Sequence, residues 1–187
     1  MTTFFTADNH FGHASIIGMC NRPFNDVDQM DRAMIAAWNE VVSPGDNIWH
    51  LGDFAYRCDL TRKRAIFGRL NGSLHLVPGN HDDKDTMSLG WASIGQIREI
   101  TVDGQRLVLC HYGLRTWPGA HRGALHLYGH SHGTLPGNAQ CLDVGADVWN
   151  FRPVTLPAIR KVLERRSRAA DALRGKPTRV SFPYGRE

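Results

Sequence analysis

No run of about 20 apolar residues occurs in the 187-residue chain, so no segment reads as long and apolar enough to span a bilayer. The opening residues, Met1-Thr2-Thr3-Phe4-Phe5-Thr6-Ala7-Asp8, lack a basic region ahead of a long apolar core, and no secretory signal is expected. Cysteine is sparse: Cys20, Cys58, Cys110 and Cys141 are widely scattered and form no Cys-x-x-Cys pair. That spacing argues against a zinc finger or a disulfide framework and reads as free thiols in a reducing, cytoplasmic setting. Internal repeats and low-complexity stretches are also missing. What is present, 42% hydrophobic and 21% charged residues, is an ordinary globular composition at a length that suits one domain with a sizeable core.

Acidic residues are scarce toward the end of the chain. Residues 152–187 hold ten Lys/Arg and three Asp/Glu, a balance of +7, whereas residues 1–151 hold twelve and fifteen, a balance of −3. The expected division is a domain over residues 1–174 and a basic C-terminal tail over residues 175–187. Such a tail could touch nucleic acid or another polyanion, or it could be a solvated helix face and a loose end.

Apolar spacing sets out the elements. Residues 3–7 form a short β-rich run that ends on Asp8-Asn9-His10. Over residues 26–42, Val27, Met30, Met34, Trp38 and Val41 recur at spacings of three and four, which predicts an amphipathic helix closed by Pro44-Gly45. Residues 47–51 read as a buried strand running into Gly52-Asp53. Residues 60–70 read as a helix with Asp59 as its cap and Asn71-Gly72 as its stop. The strand over residues 74–77 then delivers Gly79-Asn80-His81-Asp82. In the second half, residues 97–102 and 106–110 flank Asp103-Gly104, a turn pair that predicts a hairpin ending on His111. Residues 125–128 lead into Gly129-His130-Ser131-His132, residues 141–144 form a further strand, and residues 155–173 form a last helix with Leu156, Ile159, Val162 and Leu163 on one side.

Polar residues therefore gather at strand ends: Asp8-x-His10, Gly52-Asp53, Gly79-Asn80-His81-Asp82, His111 and Gly129-His130-x-His132, with residues 143–147 trailing. Sites outside the carboxyl ends of parallel strands are the habit of open α/β sheets. Oxygen and imidazole donors without cysteine suit Mn, Fe, Zn, Co or Ni and speak against a structural zinc site. Seven candidate ligands exceed what one ion usually takes from a protein, and two ions sharing one carboxylate fit that number. Gly52, Gly79 and Gly129 sit where a strand must turn sharply or let backbones approach. Asp46 precedes its strand and reads as a turn residue, His50 as a core histidine, and His75 as packed or solvent-facing.

This ordered set resembles the signature of the calcineurin-like metallophosphoesterases and spans most of the chain. The stretches Asp8-Asn9-His10-Phe11-Gly12-His13, Asn21-Arg22-Pro23-Phe24, His50-Leu51-Gly52-Asp53-Phe54 and Trp149-Asn150-Phe151-Arg152-Pro153 further resemble a small bacterial and phage branch of phosphoesterases. The resemblance implies a four-layer α-β-β-α sandwich, two mixed sheets flanked by helices. It implies that Asp8, His10, Asp53 and His132 hold one metal ion and that Asp53, Asn80, His111 and His130 hold a second. Asp53 is then the shared carboxylate, and a hydroxide bridging the ions attacks phosphorus. His81 is implied as the catalytic histidine that protonates the leaving oxygen or steadies the phosphoryl charge, with Asp82 orienting its ring.

Candidates for substrate contact are Asn80, His13, Arg115 and Arg122. The last two lie in residues 112–126, whose position between two ligand-bearing segments suggests an arch over the metals, and Arg beside an aromatic ring suits phosphate and base recognition. His13 could reach phosphate or cap the first helix. The implied activity is hydrolysis of a phosphodiester, a nucleotide or a phosphomonoester. The rival readings are a non-catalytic metal-binding scaffold and a nucleic-acid-binding protein working through the basic tail.

Overall fold

The computed structural model describes residues 1–174; the expected basic tail, residues 175–187, lies outside the described residues. In chain order the elements are β1 (Thr3–Thr6), α1 (Ile16–Met19), α2 (Val27–Val41), β2 (Asn47–His50), α3 (Leu60–Phe67), β3 (Ser73–Leu76), α4 (Lys84–Met87), β4 (Ser93–Ile94), β5 (Ile97–Val102), β6 (Gln105–Cys110), β7 (Leu125–Tyr128), β8 (Cys141–Asp143), β9 (Val154–Thr155) and α5 (Leu156–Arg174). No described helix is long and apolar enough to cross a membrane.

Helix α2 starts where the Asp26 side chain accepts the Gln29 N–H at 2.7 Å, and it buries the predicted stripe of Met30, Met34 and Trp38. Helix α3 is capped by Asp59, as its sequence predicts, but ends at Phe67 with Gly68 as its cap, ahead of Asn71-Gly72. The shortening has a visible cause. Arg69 and Leu70 donate to Ile66 and Phe67, so the chain tightens to three-residue spacing before it can add another α turn. Two strands of two residues each, β4 and β9, are too short for an alternating pattern to announce them.

Two mixed sheets form. The first has the order β4-β3-β2-β1-β9 and is parallel except for β9; the second has the order β5-β6-β7-β8, with β5 antiparallel to β6 and the rest parallel. The β5–β6 hairpin closes through Asp103 and Gly104 with φ of 47° and 73°, the positive angles that the Asp-Gly pair predicts. Alternation along β1 sends Phe4 toward the helices, with Ile48, Leu74, Met34 and Trp38, and sends Phe5 between the sheets, with Leu107, Leu109 and Leu127. Helix α5 drives Leu156, Ile159 and Leu163 into that inter-sheet core. The chain is thus the α/β sandwich of two mixed sheets with flanking helices. Its thinnest layer lies on the outer face of the second sheet, where Trp117 packs on Val108 and Ala124 beside a 3-10 turn, Ala120–Arg122.

Register positions everything that follows. Thr6 pairs with His50 and His50 with Leu76, so β1, β2 and β3 end level. Beyond those ends the loops stay stitched, with Asp8 N–H donating to Gly52 O at 2.9 Å and His10 N–H to Asp53 O at 3.0 Å. Trp38 supports this platform from below; it is fully buried, and its indole N–H donates to Asn71 O at 3.0 Å. Trp38→Ala should lower unfolding free energy by about 3–5 kcal/mol, the range for removing a buried aromatic, measured as a shift of the urea midpoint at constant slope.

Candidate metal centre

Asp8, His10, Asp53, His130 and His132 all adopt left-handed backbone conformations, with φ of 56°, 51°, 57°, 66° and 46°. Non-glycine residues enter that region only at a cost, and such outliers gather at functional sites. The glycines at these strand ends divide the expected work between them. Gly52 has a φ of 95°, whereas Gly79 serves close approach: a Cβ there would lie 2.3 Å from Asp53 Oδ1 and 2.7 Å from His111.

Two donor groups result. The Asp8, His10 and His132 side chains bring one potential ligand atom each within 4.8 Å of one another, and Asp53, His111 and His130 do the same. Asp53 Oδ2 is 3.6 Å from His10 Nε2 and 3.6 Å from His111 Nε2, so the carboxylate stands between the groups. Asn80 Oδ1 adds to the second, 3.2 Å from His111 Nε2. His130 and His132, two residues apart, fall into different groups.

Hydrogen bonds fix which ring nitrogens are available. His111 Nδ1 lies 2.7 Å from Leu51 O, which can only accept, so Nδ1 carries a proton and Nε2 is the nitrogen turned toward Asp53 and Asn80. His132 Nδ1 likewise donates to Asp147 Oδ2 at 2.7 Å. Both nitrogens of His10 are buried without a partner. Burial drives His10 down to about 2, keeping it neutral, and pushes the Asp8 carboxyl well above its ordinary range. Burial would also lower His132, but the Asp147 hydrogen bond and the Asp8 charge more than offset it and the net shift is upward. Carboxylate oxygens, imidazole nitrogens and an amide oxygen converging on one space are a donor set that suits cations.

Surrounding residues hold this geometry, and several lie far away in sequence. Arg22 grips Asp147 with two contacts of 2.8 Å and also donates to Asp8 O at 2.7 Å and Asn9 O at 2.8 Å, so one guanidinium ties the first ligand segment to the partner of His132. Asp143 accepts from Ser131 Oγ and from the Gly133 and Gly145 N–H groups, which fastens the turn bearing His130 and His132. His50 Nδ1 accepts from Gly52 N–H and its Nε2 donates to Asn9 Oδ1 at 2.9 Å. Asp46 accepts from Thr2 and Ser43 N–H, and His75 bonds Ser93 and stacks on Trp49. Neither Asp147 nor Arg22 had a role that local spacing could assign.

Asp82 differs from its expectation. Its carboxylate accepts the Asp53, Phe54 and Gly79 backbone N–H groups at 2.8, 2.9 and 2.8 Å, and it makes no hydrogen bond to the His81 ring among the described residues. It therefore joins two ligand loops and does not orient His81. The His81 ring is half-buried, packs on Tyr56 with centroids 4.2 Å apart and lies 5.4 Å from His10, while its N–H donates to Asp53 Oδ1 at 2.9 Å. It faces an open polar groove of about 490 Å³ that is also lined by Asn80 and Arg57. Arg57 escaped sequence reasoning. It is exposed, with a φ of 55°, and forms no ion pair among the described residues.

Only the start of residues 112–126 stays beside the donor groups, with the Tyr112 ring 4.9 Å from His111 and His130. Strands β6 and β7 are parallel, so residues 111–124 must carry the chain from the ligand-bearing end of the sheet back to the opposite end. They do so across the outer face: Trp117 Nε1 donates to Ala124 O, and Gln105 Nε2 reaches Gly123 O at the start of β6. Arg122 is thereby placed at the sheet edge away from His111. Arg115 is exposed near the start of the same crossover, four residues past His111. His13 sits beside the centre, its ring 5.4 Å from His10, with Nε2 bonded to Ser15 Oγ at 2.8 Å and Nδ1 buried and unpartnered.

Comparison with known proteins agrees with the arrangement. The sequence profile of the calcineurin-like phosphoesterase superfamily domain matches residues 1–147. An uncharacterized protein of Methanocaldococcus jannaschii is 30% identical over 171 residues, which is 87% of this chain and 91% of that one. The gene 66 protein of Mycobacterium phage D29 is 27% identical over 178 residues, 78% of this chain and 88% of its own length. Among solved structures, a protein of unknown function from Aquifex aeolicus superposes with a TM-score of 0.67 at 25% identity, covering 86% of this chain and 98% of that one.

Two outcomes follow from the geometry. Asp147→Ala should weaken metal binding by about 10- to 100-fold, as loss of a carboxylate behind a ligand histidine does, measured by metal analysis of protein dialysed against buffered metal. Arg122→Ala should leave the Michaelis constant for phosphoesters unchanged, because its end of the crossover lies at the opposite end of β6 from His111.

Proposed function

The chain belongs to the calcineurin-like phosphoesterase superfamily, and from that premise we propose that it hydrolyses a phosphoester with two metal ions held by Asp8, His10, Asp53, Asn80, His111, His130 and His132. The observation that carries this reading is Asp53 Oδ2, set 3.6 Å from an imidazole nitrogen of each donor group. Mn, Fe, Ni, Co or Zn bound there would supply Lewis acidity to a phosphoryl oxygen and activate a water near neutral pH. A carboxylate suits position 53 because its charge would offset the repulsion of two cations, while Oδ1 accepts the His81 N–H at 2.9 Å. Asn80 contributes a neutral oxygen, which leaves the second group the less anionic of the two.

His81 is the proton donor in this reading. Its ring lies on the open side of the centre, against Tyr56 and in the groove, within reach of an oxygen leaving phosphorus. Arg57, on the rim of that groove, is placed to meet phosphate charge. The phosphoester can be a diester, a nucleotide or a monoester, since Asn80 and His130 are exposed and the centre opens directly to solvent.

Asp53→Asn should abolish turnover of a nitrophenyl phosphodiester by the Mn-loaded protein and lower its metal content. His81→Ala should slow the same reaction by roughly 10²- to 10⁴-fold, the usual worth of a positioned acid, with metal content unchanged. Near-normal rates in Asp53→Asn would sink the two-metal reading.

A further inference from the structure

A second cleft, of about 530 Å³, opens on the other side of Asp82 from the polar groove, and His111 and Gly79 form its inner wall. It is therefore continuous with the second donor group. Its remaining walls are apolar, built from Pro78, Met87, Ile97, Tyr112 and Leu114, with the Gln96 side chain among them. Ile97, Tyr112 and Met87 are 55%, 46% and 41% exposed. Large apolar side chains left in solvent together beside a polar centre mark a ligand surface. The Tyr112 ring is edge-on to both His111 and His130, 4.9 Å from each centroid, which fixes the ring next to the ligands.

We propose that this cleft holds the nucleobase of a nucleotide-bearing phosphoester, an assignment that rests on the phosphoester reading of the metal centre. A phosphoryl group at His111 and His130 puts the next rings of a nucleotide against Tyr112. A flat base can stack there between the tyrosine and the aliphatic side chains of Met87 and Ile97. The Gln96 amide makes no hydrogen bond among the described residues and is available to a heteroatom on the base edge. An alkyl chain in the same place would bury that amide against methylenes, which costs free energy. His81 faces the other groove, so the oxygen it protonates leaves on the side away from the base.

The test is equilibrium binding to the Mn-loaded protein of two non-hydrolysable phosphonates, the analogue of AMP and the analogue of ribose 5-phosphate, by titration calorimetry. Stacking predicts that the AMP analogue binds tighter by about tenfold or more. Tyr112→Ala and Ile97→Asp, the second at an exposed strand position, should each bring the ratio of the two affinities close to one, while Tyr112→Phe keeps it. Equal affinities in the unsubstituted protein, or a ratio that neither variant moves, would overturn the assignment. A phenylphosphonate binding as well as the AMP analogue would overturn it in favour of a simple aryl group. Equal affinities alongside normal phosphodiester turnover remove only the base assignment. Failure of both analogues to bind, with no phosphoester turned over, removes the phosphoester reading as well.

Discussion

Lone pairs that face one another in a buried space are the constraint on which this protein is built. Asp8 and Asp53 are at most 2% exposed, and His10 and His111 are buried with them. Concentrating that much acceptor character away from water is costly unless cations compensate it. The cation of the chain bonded to this segment, Arg22, is committed to Asp147 and to the Asp8 and Asn9 carbonyls, so it braces the ligands from behind and leaves their front open. The left-handed conformations of five candidate ligands add on the order of 1 kcal/mol each. Opposing them are charge-assisted hydrogen bonds of Asp82, Asp143 and Asp147 to backbone and side-chain donors, each worth about 1.5–3 kcal/mol. These terms are of similar size, which is why the centre needs a stiff scaffold of level parallel strands and two apolar layers beneath it.

The parts legible in the sequence are those whose determinants are local. Each strand of the first sheet runs directly into its ligands, so a run such as Leu74-His75-Leu76-Val77 followed by Gly-Asn-His-Asp announces both element and chemistry. Helix α2 is legible for the same reason, with its stripe and its Asp26 cap inside one window. The braces are not local. Arg22 and Asp147 meet across 125 positions, and Ser131 needs Asp143 on another strand end, so no spacing rule ties them together. Residues 112–126 misled because a loop between two ligands looks like a lid when strand directions are unknown. Once β6 and β7 are parallel, most of the same residues must serve as a return path.

Glycine placement shows how close the packing around the ligands is. At Gly129 a Cβ would lie 2.5 Å from that of Ala7 and 2.8 Å from Asp8 Oδ2, and at Gly145 it would lie 2.7 Å from the same oxygen. The Asp8 carboxylate thus occupies the room that two side chains would take. Its oxygens accept His130 N–H at 3.0 and 2.8 Å, which joins the first ligand of one group to a ligand of the other. Neither group can shift without moving its neighbour.

The same linkage runs through Gly79-Asn80-His81-Asp82 in three consecutive steps. Asn80 turns its oxygen toward His111, His81 donates its N–H to Asp53 Oδ1, and Asp82 reaches back to the Asp53, Phe54 and Gly79 amides. A ligand amide, an imidazole aimed at the groove and a loop-binding carboxylate therefore all refer to one residue's neighbourhood, that of Asp53. Proton transfer to a leaving oxygen requires the donor and the metals to keep a fixed separation as charge shifts during reaction. In the proposed reaction, anchoring His81 by its backbone to the carboxylate between the donor groups would supply that fixed separation, and its ring makes no hydrogen bond among the described residues. Asp82 keeps the two loops in register and makes no hydrogen bond to the His81 ring among the described residues.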